Sequence, residues 1–131
     1  MFFHVDPSGD LALYEQLVRQ VKYAVADEVL KPGDLVPSVR EVARDLAINP
    51  NTVARAYREL QTERVLETVR GTGLAVAAGA VRRCRADRVK LIRARLHQVL
   101  LEAKQSRLDR KELQTLIDEE LAAIESKEVS A

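Results

Sequence analysis

Asn51, Thr52, Arg55 and Arg58 lie close together in one short segment and combine amide and hydroxyl donors with two guanidinium groups. Such groups suit base edges and phosphates in a DNA groove. A second set follows at Arg70, Gly71, Thr72 and Gly73. There the glycines allow positive φ and a close backbone approach to a phosphate or the minor groove, while Arg70 and Thr72 add charge and a hydroxyl. Ahead of both, Arg40 stands in the first turn of a short helix, within reach of a phosphate beside the groove. Ser38 is foremost that helix's cap, although a helix N-terminus can itself hold a phosphate. Each set also has a plain reading: a solvated helix face, a surface charge or a pairing of Arg40 with Asp45, and an ordinary hairpin turn. The order favours the chemical reading. Over residues 37–73 the pattern is helix, tight turn, helix and Gly-tipped hairpin, the sequence of elements in a winged helix-turn-helix.

The elements that must position these residues are legible in caps and apolar periods. Ser38 and Glu41 form an S-x-x-E capping box, and Val39, Val42, Ala43 and Leu46 give the helix behind it one buried stripe. Asn49 is the next N-cap, with Pro50 at N1, where its missing N–H costs nothing. Val53, Ala56, Tyr57 and Leu60 repeat the same spacing, which puts Asn51, Arg55, Arg58 and Thr62 on the outer face. Runs 65–69 and 74–78 are β-prone and flank the hairpin tip. Upstream, apolar residues from Tyr14 to Val29 predict a helix over about 11–30, closed by a type II turn at Pro32-Gly33. Phe2, Phe3 and Val5 suggest a short strand or an apolar arm. Tyr14 and Tyr57 are expected in packing.

From about 81 to 107 a long helix carries Val89, Ile92, Leu96 and Val99 at alternating spacings of three and four, the seam of a heptad pattern. A second capping box, Asp109 with Glu112, opens a final helix with Leu113, Leu116, Ile117, Leu121 and Ile124 inward, and the tail after Ser126 is expected to fray. The start of the long helix is rich in Arg, and acids dominate after Glu112, so the two helices are expected to be solvated or to pair with each other. The fold expected is mainly α with a small β wing: a winged helix-turn-helix over 1–79, then a short two-helix domain over 80–131.

Composition bounds the function. The 131 residues, 47% hydrophobic, suffice for a core, and a net charge of +1 does not by itself announce a nucleic-acid partner. The single cysteine, Cys84, cannot close an internal disulfide; it is expected to be a small filler or an exposed thiol in a protein of the reducing cytoplasm. His4 and His97 are too isolated for a zinc site, and no cofactor or metal is expected. No nucleophile–base set or phosphate loop points to an enzyme. No apolar run approaches the roughly 20 residues of a membrane span. The rival to a DNA reader is a protein-interaction adaptor, favoured by the near-neutral charge and the heptad seam.

The stretch PGDLVPSVREVARDLAINPNTVARAYREL, the wing RGTG and the short helical C-terminus together resemble the GntR family of bacterial regulators, and within it the YtrA-type branch. That resemblance implies a homodimer held by the C-terminal helices, through Val89, Ile92, Leu96, Val99, Leu113, Ile117, Leu121 and Ile124. It further implies binding to double-stranded DNA at an inverted repeat and repression of an operon that often encodes an ABC transporter. By the same resemblance Arg40, Asn51, Thr52, Arg55, Arg58, Thr72 and Gly73 lie at or near DNA. An effector is left unassigned. The chain departs from the family at two places. Arg64 replaces the Gly that usually ends the recognition helix, so it must take a left-handed conformation at roughly 1 kcal/mol or end the helix differently. Ala54 stands where other branches often carry Arg, so that contact is not transferred.

Overall fold

Caps written into the sequence start the two central helices. In the computed structural model, which describes residues 3–130, the Ser38 hydroxyl accepts from the Glu41 N–H at 3.1 Å and the Asn49 side chain accepts from the Asn51 N–H at 2.8 Å. The helices are α2 (Val39–Leu46) and α3 (Pro50–Thr62), preceded by α1 (Leu13–Ala26). A two-stranded antiparallel hairpin, β1 (Leu66–Val69) and β2 (Gly73–Val76), comes next, then α4 (Ala80–Gln105) and α5 (Arg110–Ser130). The chain divides into two compact units, Met1–Lys90 and Leu91–Ala131.

In the first unit, apolar stripes of three helices meet in one core. Leu17, Val21 and Val25 of α1, Val42 of α2 and Val53, Ala56 and Leu60 of α3 are fully buried, and Ala80 and Cys84 bring the first turns of α4 into the same cluster. Burial pushes the Cys84 thiol up to about 11, consistent with a filler and not a reactive thiol. Tyr57 is buried as well; its hydroxyl donates to the Pro37 carbonyl at 2.7 Å, so its one polar atom is satisfied. Phe3 is buried in the core but forms no strand. The arm it leads is held by two glutamines four apart on α1: Gln20 accepts from the His4 N–H at 2.9 Å and Gln16 from the Asp6 N–H at 2.8 Å, while their amide groups donate back to the same two residues' carbonyls. Side-chain amides thereby stand in for a neighbouring strand. Phe2 lies outside the described residues.

Several expectations are corrected. The first helix stops at Ala26, not near residue 30. Glu28 turns left-handed at φ 58, Val29 and Leu30 both donate to the Ala24 carbonyl, and Val29 is left 67% exposed. Its apolar side chain therefore belongs to no stripe. Residues 33–36, read only as a lead-in, run along β2: Gly33 donates to the Val76 carbonyl, Val76 to Asp34 and Val36 to Leu74. The Pro32-Gly33 turn is as expected, with Asp34 donating to Lys31 at 2.9 Å and Gly33 at φ 91. The hairpin is shifted by a residue or two, since Gly73 already pairs with Val69 and β2 ends at Val76. At the far end, α5 continues as helix to Ser130 instead of fraying after Ser126.

At the start of α4, Arg82 and Arg85 are exposed, in keeping with a solvated face, and several arginines there also reach acceptors in the first unit. Arg88 pairs with Asp27, Arg85 donates to the Ala26 carbonyl at 2.9 Å and reaches Glu28 at 3.9 Å, and Arg83 donates to the Arg64 carbonyl. Beside them Lys22, 7% exposed, is sandwiched between Glu63 at 2.8 Å and Asp87 at 3.5 Å. Burial alone would lower the Lys22 pKa, but the two carboxylates outweigh it and hold the ammonium above its ordinary range. This buried charge ties the end of α3 to the start of α4.

Arg64 takes the left-handed option, at φ 61, with Val65 donating back to the Leu60 carbonyl at 2.8 Å. A non-glycine residue pays for that conformation, so Arg64→Gly is expected to stabilise the fold by about 0.5–1 kcal/mol, after allowing for the extra freedom of Gly in the unfolded chain. Urea denaturation at equilibrium checks this. A loss of stability instead would show that the Arg64 side chain offsets its own strain.

The described residues of the second unit are the rest of α4 and α5, joined by a short turn over 106–109. Its capping box closes on both sides, with Glu112 N–H donating to Asp109 at 2.8 Å and Asp109 N–H to Glu112 at 3.4 Å. The inward positions are not buried within one chain. Leu96, Val99, Ile117, Leu121 and Ile124 remain 40–60% exposed around an open groove of about 520 Å³, and Leu113 is half-buried. Val89, on the α4 segment of the first unit, and Ile92 are exposed too. Two helices alone cannot enclose so much apolar surface. None of the described helices is long and apolar enough to cross a membrane.

Candidate nucleic-acid interface

The turn between α2 and α3 is only Ala47, Ile48 and Asn49. Ala47 adopts φ 54 and Ile48 donates to the Ala43 carbonyl, which stops α2 and lets Asn49 cap α3 at once. Because Val53, Ala56, Tyr57 and Leu60 are buried, the opposite face of α3 is necessarily presented outward, and Asn51, Arg55 and Arg58 are exposed there. Thr52 is half-buried, its N–H donating to the Asn49 carbonyl. In the first turn of α2, Arg40 is exposed and does not pair with Asp45, whose carboxylate takes Arg44 at 3.4 Å instead.

At the wing tip Arg70, Gly71, Thr72 and Gly73 are all exposed. Gly71 sits at φ 77 and Gly73 at φ 129, and a Cβ added at either would meet nothing within 4 Å. The glycines are thus required by backbone conformation, and the space around them is open to a ligand. Thr72 donates its N–H to Val69 across the turn at 3.0 Å. The base of the wing and the start of α2 flank one groove of about 540 Å³, lined by Ser38, Tyr57, Thr72 and Gly73 among others. Ser38 is therefore brought together with Thr72 and Gly73, residues far from it in sequence.

The sequence reading missed one residue of this surface. Tyr14, expected only in packing, lies under Arg55, with the guanidinium carbon 3.7 Å from the centre of its ring. The Tyr14 hydroxyl donates to Glu15 at 3.1 Å, and that bond is the main reason its pKa is raised. No local signal announces a contact between α1 and α3. Among the described residues no group of three His, Cys, Asp or Glu side chains is placed to hold a metal ion.

This architecture has close counterparts. The family profile "Bacterial regulatory proteins, gntR family" matches residues 13–76, from α1 to the end of the wing. The HTH-type transcriptional repressor YtrA of Bacillus subtilis (strain 168) is 35% identical over 115 residues, spanning 88% of this chain and 88% of that protein. Among solved structures, a GntR family transcriptional regulator from Listeria monocytogenes superposes with a TM-score of 0.69 at 26% identity, covering 88% of this chain and 98% of the other. YtrA from Sulfolobus acidocaldarius, a GntR-family transcription factor, gives 0.55 at 33% identity, covering 70% and 94%. On this match of sequence and fold, the chain belongs to the GntR family of bacterial regulatory proteins, as a transcription regulator of YtrA type with a winged-helix DNA-binding domain.

Proposed function

We propose that this regulator is a homodimeric repressor that binds an inverted-repeat operator in double-stranded DNA. The observation that carries the reading is the outer face of α3, where Asn51, Arg55 and Arg58 stand exposed opposite a fully buried stripe. On this reading α3 enters the major groove, with Asn51, Thr52, Arg55 and Arg58 at base edges or nearby phosphates. Arg40 and the capped start of α2 at Ser38 take phosphates, and the wing tip, Arg70 to Gly73, reaches the flanking backbone or minor groove. The exposed apolar positions of α4 and α5 pair two copies, so that symmetric half-sites lie about one DNA turn apart. Repression is supported by the name of the Bacillus relative. Its own operon, with ABC transporter genes, is the proposed target on the resemblance to the YtrA-type branch.

The test is binding of the purified protein to labelled duplex from upstream of its own gene, titrated with salt and random-sequence competitor. A tight complex with two protomers per site, weakened steeply by salt and resistant to competitor, is expected because phosphate contacts release counterions. Arg58→Ala and Arg55→Ala are each expected to weaken that complex by about 1–3 kcal/mol while leaving the melting temperature unchanged. Unchanged affinity in both variants would place the reading face elsewhere. Binding with negligible salt dependence would favour an adaptor that docks another protein.

A further inference from the structure

Among the described residues, Arg55 is the one arginine assigned to DNA that rests on an aromatic ring. Arg40 and Arg58 are exposed with no such support. The support comes from α1: Tyr14 is in its first turn, on the same face as Leu17 and Val18, which are buried in the core that α1 shares with α3. The ring is thereby anchored by α1 packing, and the guanidinium carbon sits 3.7 Å above its centre. At that distance the two planar groups are in face contact, inside the range in which the ring quadrupole attracts a cation.

Stacking uses the flat face of a guanidinium and leaves its five N–H donors at the rim. Among the described residues none accepts a hydrogen bond from Arg55, so the rim is free to meet an external acceptor. An unsupported Arg loses much of its rotamer freedom when it fixes on a base edge; a stacked one has already lost part of it. We infer that Tyr14 is a positioning residue for operator recognition, holding the Arg55 guanidinium in one plane so that it reads a base edge. This rests on the operator-reading role of α3 proposed above. Arg58, without a ring beneath it, is by contrast suited to the less directional work of gripping phosphate.

The experiment uses the full chain and an operator selected by the unaltered protein from a pool of randomised duplexes, with affinity measured against that operator and against random-sequence duplex. Tyr14→Leu keeps apolar bulk and removes the ring face; it is expected to weaken operator binding roughly three- to thirtyfold with random-sequence binding unaltered. Tyr14→Phe, which keeps the face, is expected to restore operator affinity. In an Arg55→Ala background Tyr14→Leu should have no further effect, because the partner it positions is gone. Undiminished operator binding by Tyr14→Leu would overturn the inference, as would an equal loss on both duplexes or a loss that persists without Arg55. Should Arg55→Ala itself leave operator binding intact, the fault lies in the proposed reading face and not in the stack. If Tyr14→Leu does not fold, the unaltered complex decides: the Arg55 Hδ and Hε resonances should be displaced by the ring current in the DNA-bound state, and ordinary shifts there would refute the stack's role.

Discussion

Ile117→Lys together with Leu121→Lys is expected to convert the protein to a monomer and to weaken operator binding by roughly two to four powers of ten, the usual gain from linking two binding modules. Both side chains are 40–49% exposed in one chain and sit along the apolar groove between α4 and α5. On the reading proposed above, a second copy covers this surface, in a helical unit that buries little of it alone. Lysine at the middle of such a contact must either desolvate its ammonium or break the contact, and the second costs less. Half of a symmetric reader then meets each half-site alone, and the affinity that came from simultaneous engagement is lost. Sedimentation equilibrium reports the mass, and anisotropy with labelled operator reports the affinity. The first unit carries its own core, so its cooperative melting should survive in the variant. A variant that stays dimeric would assign the pairing surface to other residues. One that turns monomeric yet keeps full operator affinity would remove the two-half-site reading.

Leu60→Ala is the substitution expected to cost the fold most, about 2–5 kcal/mol by the usual range for a fully buried leucine. Leu60 is 0% exposed on the last full turn of α3, and its carbonyl receives the Val65 N–H that reverses the chain into the wing. The cavity would open next to fully buried Val65 and Leu66 as well as the α1 stripe, so little can collapse into it. Against a net stability of about 5–15 kcal/mol, such a loss leaves a substantial unfolded population at raised temperature. Equilibrium urea denaturation, with the midpoint and slope compared, checks this. A loss below about 1 kcal/mol would mean that the core beneath α3 closes over a missing side chain, and hence that α3 is less rigidly seated than its burial implies.

Elements whose signals lie within four residues were legible without a structure. Ser38 and Asn49 each reach an N–H two or three residues on, and their helices start where those residues stand. The stripe Val53, Ala56, Tyr57, Leu60 is buried to the last member, and so the outward face with Asn51, Arg55 and Arg58 followed from helical period alone. Where the periodic signal continued past a real boundary it misled. Val29 has the right spacing for α1, but the left-handed turn at Glu28 takes it out of the helix. Periodicity says which residues share a face and nothing about where an uncapped helix ends.

The sequence by itself therefore determined the helix-turn-helix, its caps, the Gly-tipped wing and the identity of the outward residues, because each rests on hydrogen bonds or spacings a few residues long. Only the tertiary structure decided which partners meet across distance. Lys22 finds Glu63 41 positions away, Arg88 reaches Asp27 61 positions away, and Tyr14 lies beneath Arg55. The physical reason is common to all of them. A charged or aromatic side chain has many partners of suitable chemistry along the chain, and only the packing of one buried stripe against another selects which of them lies within a few ångströms.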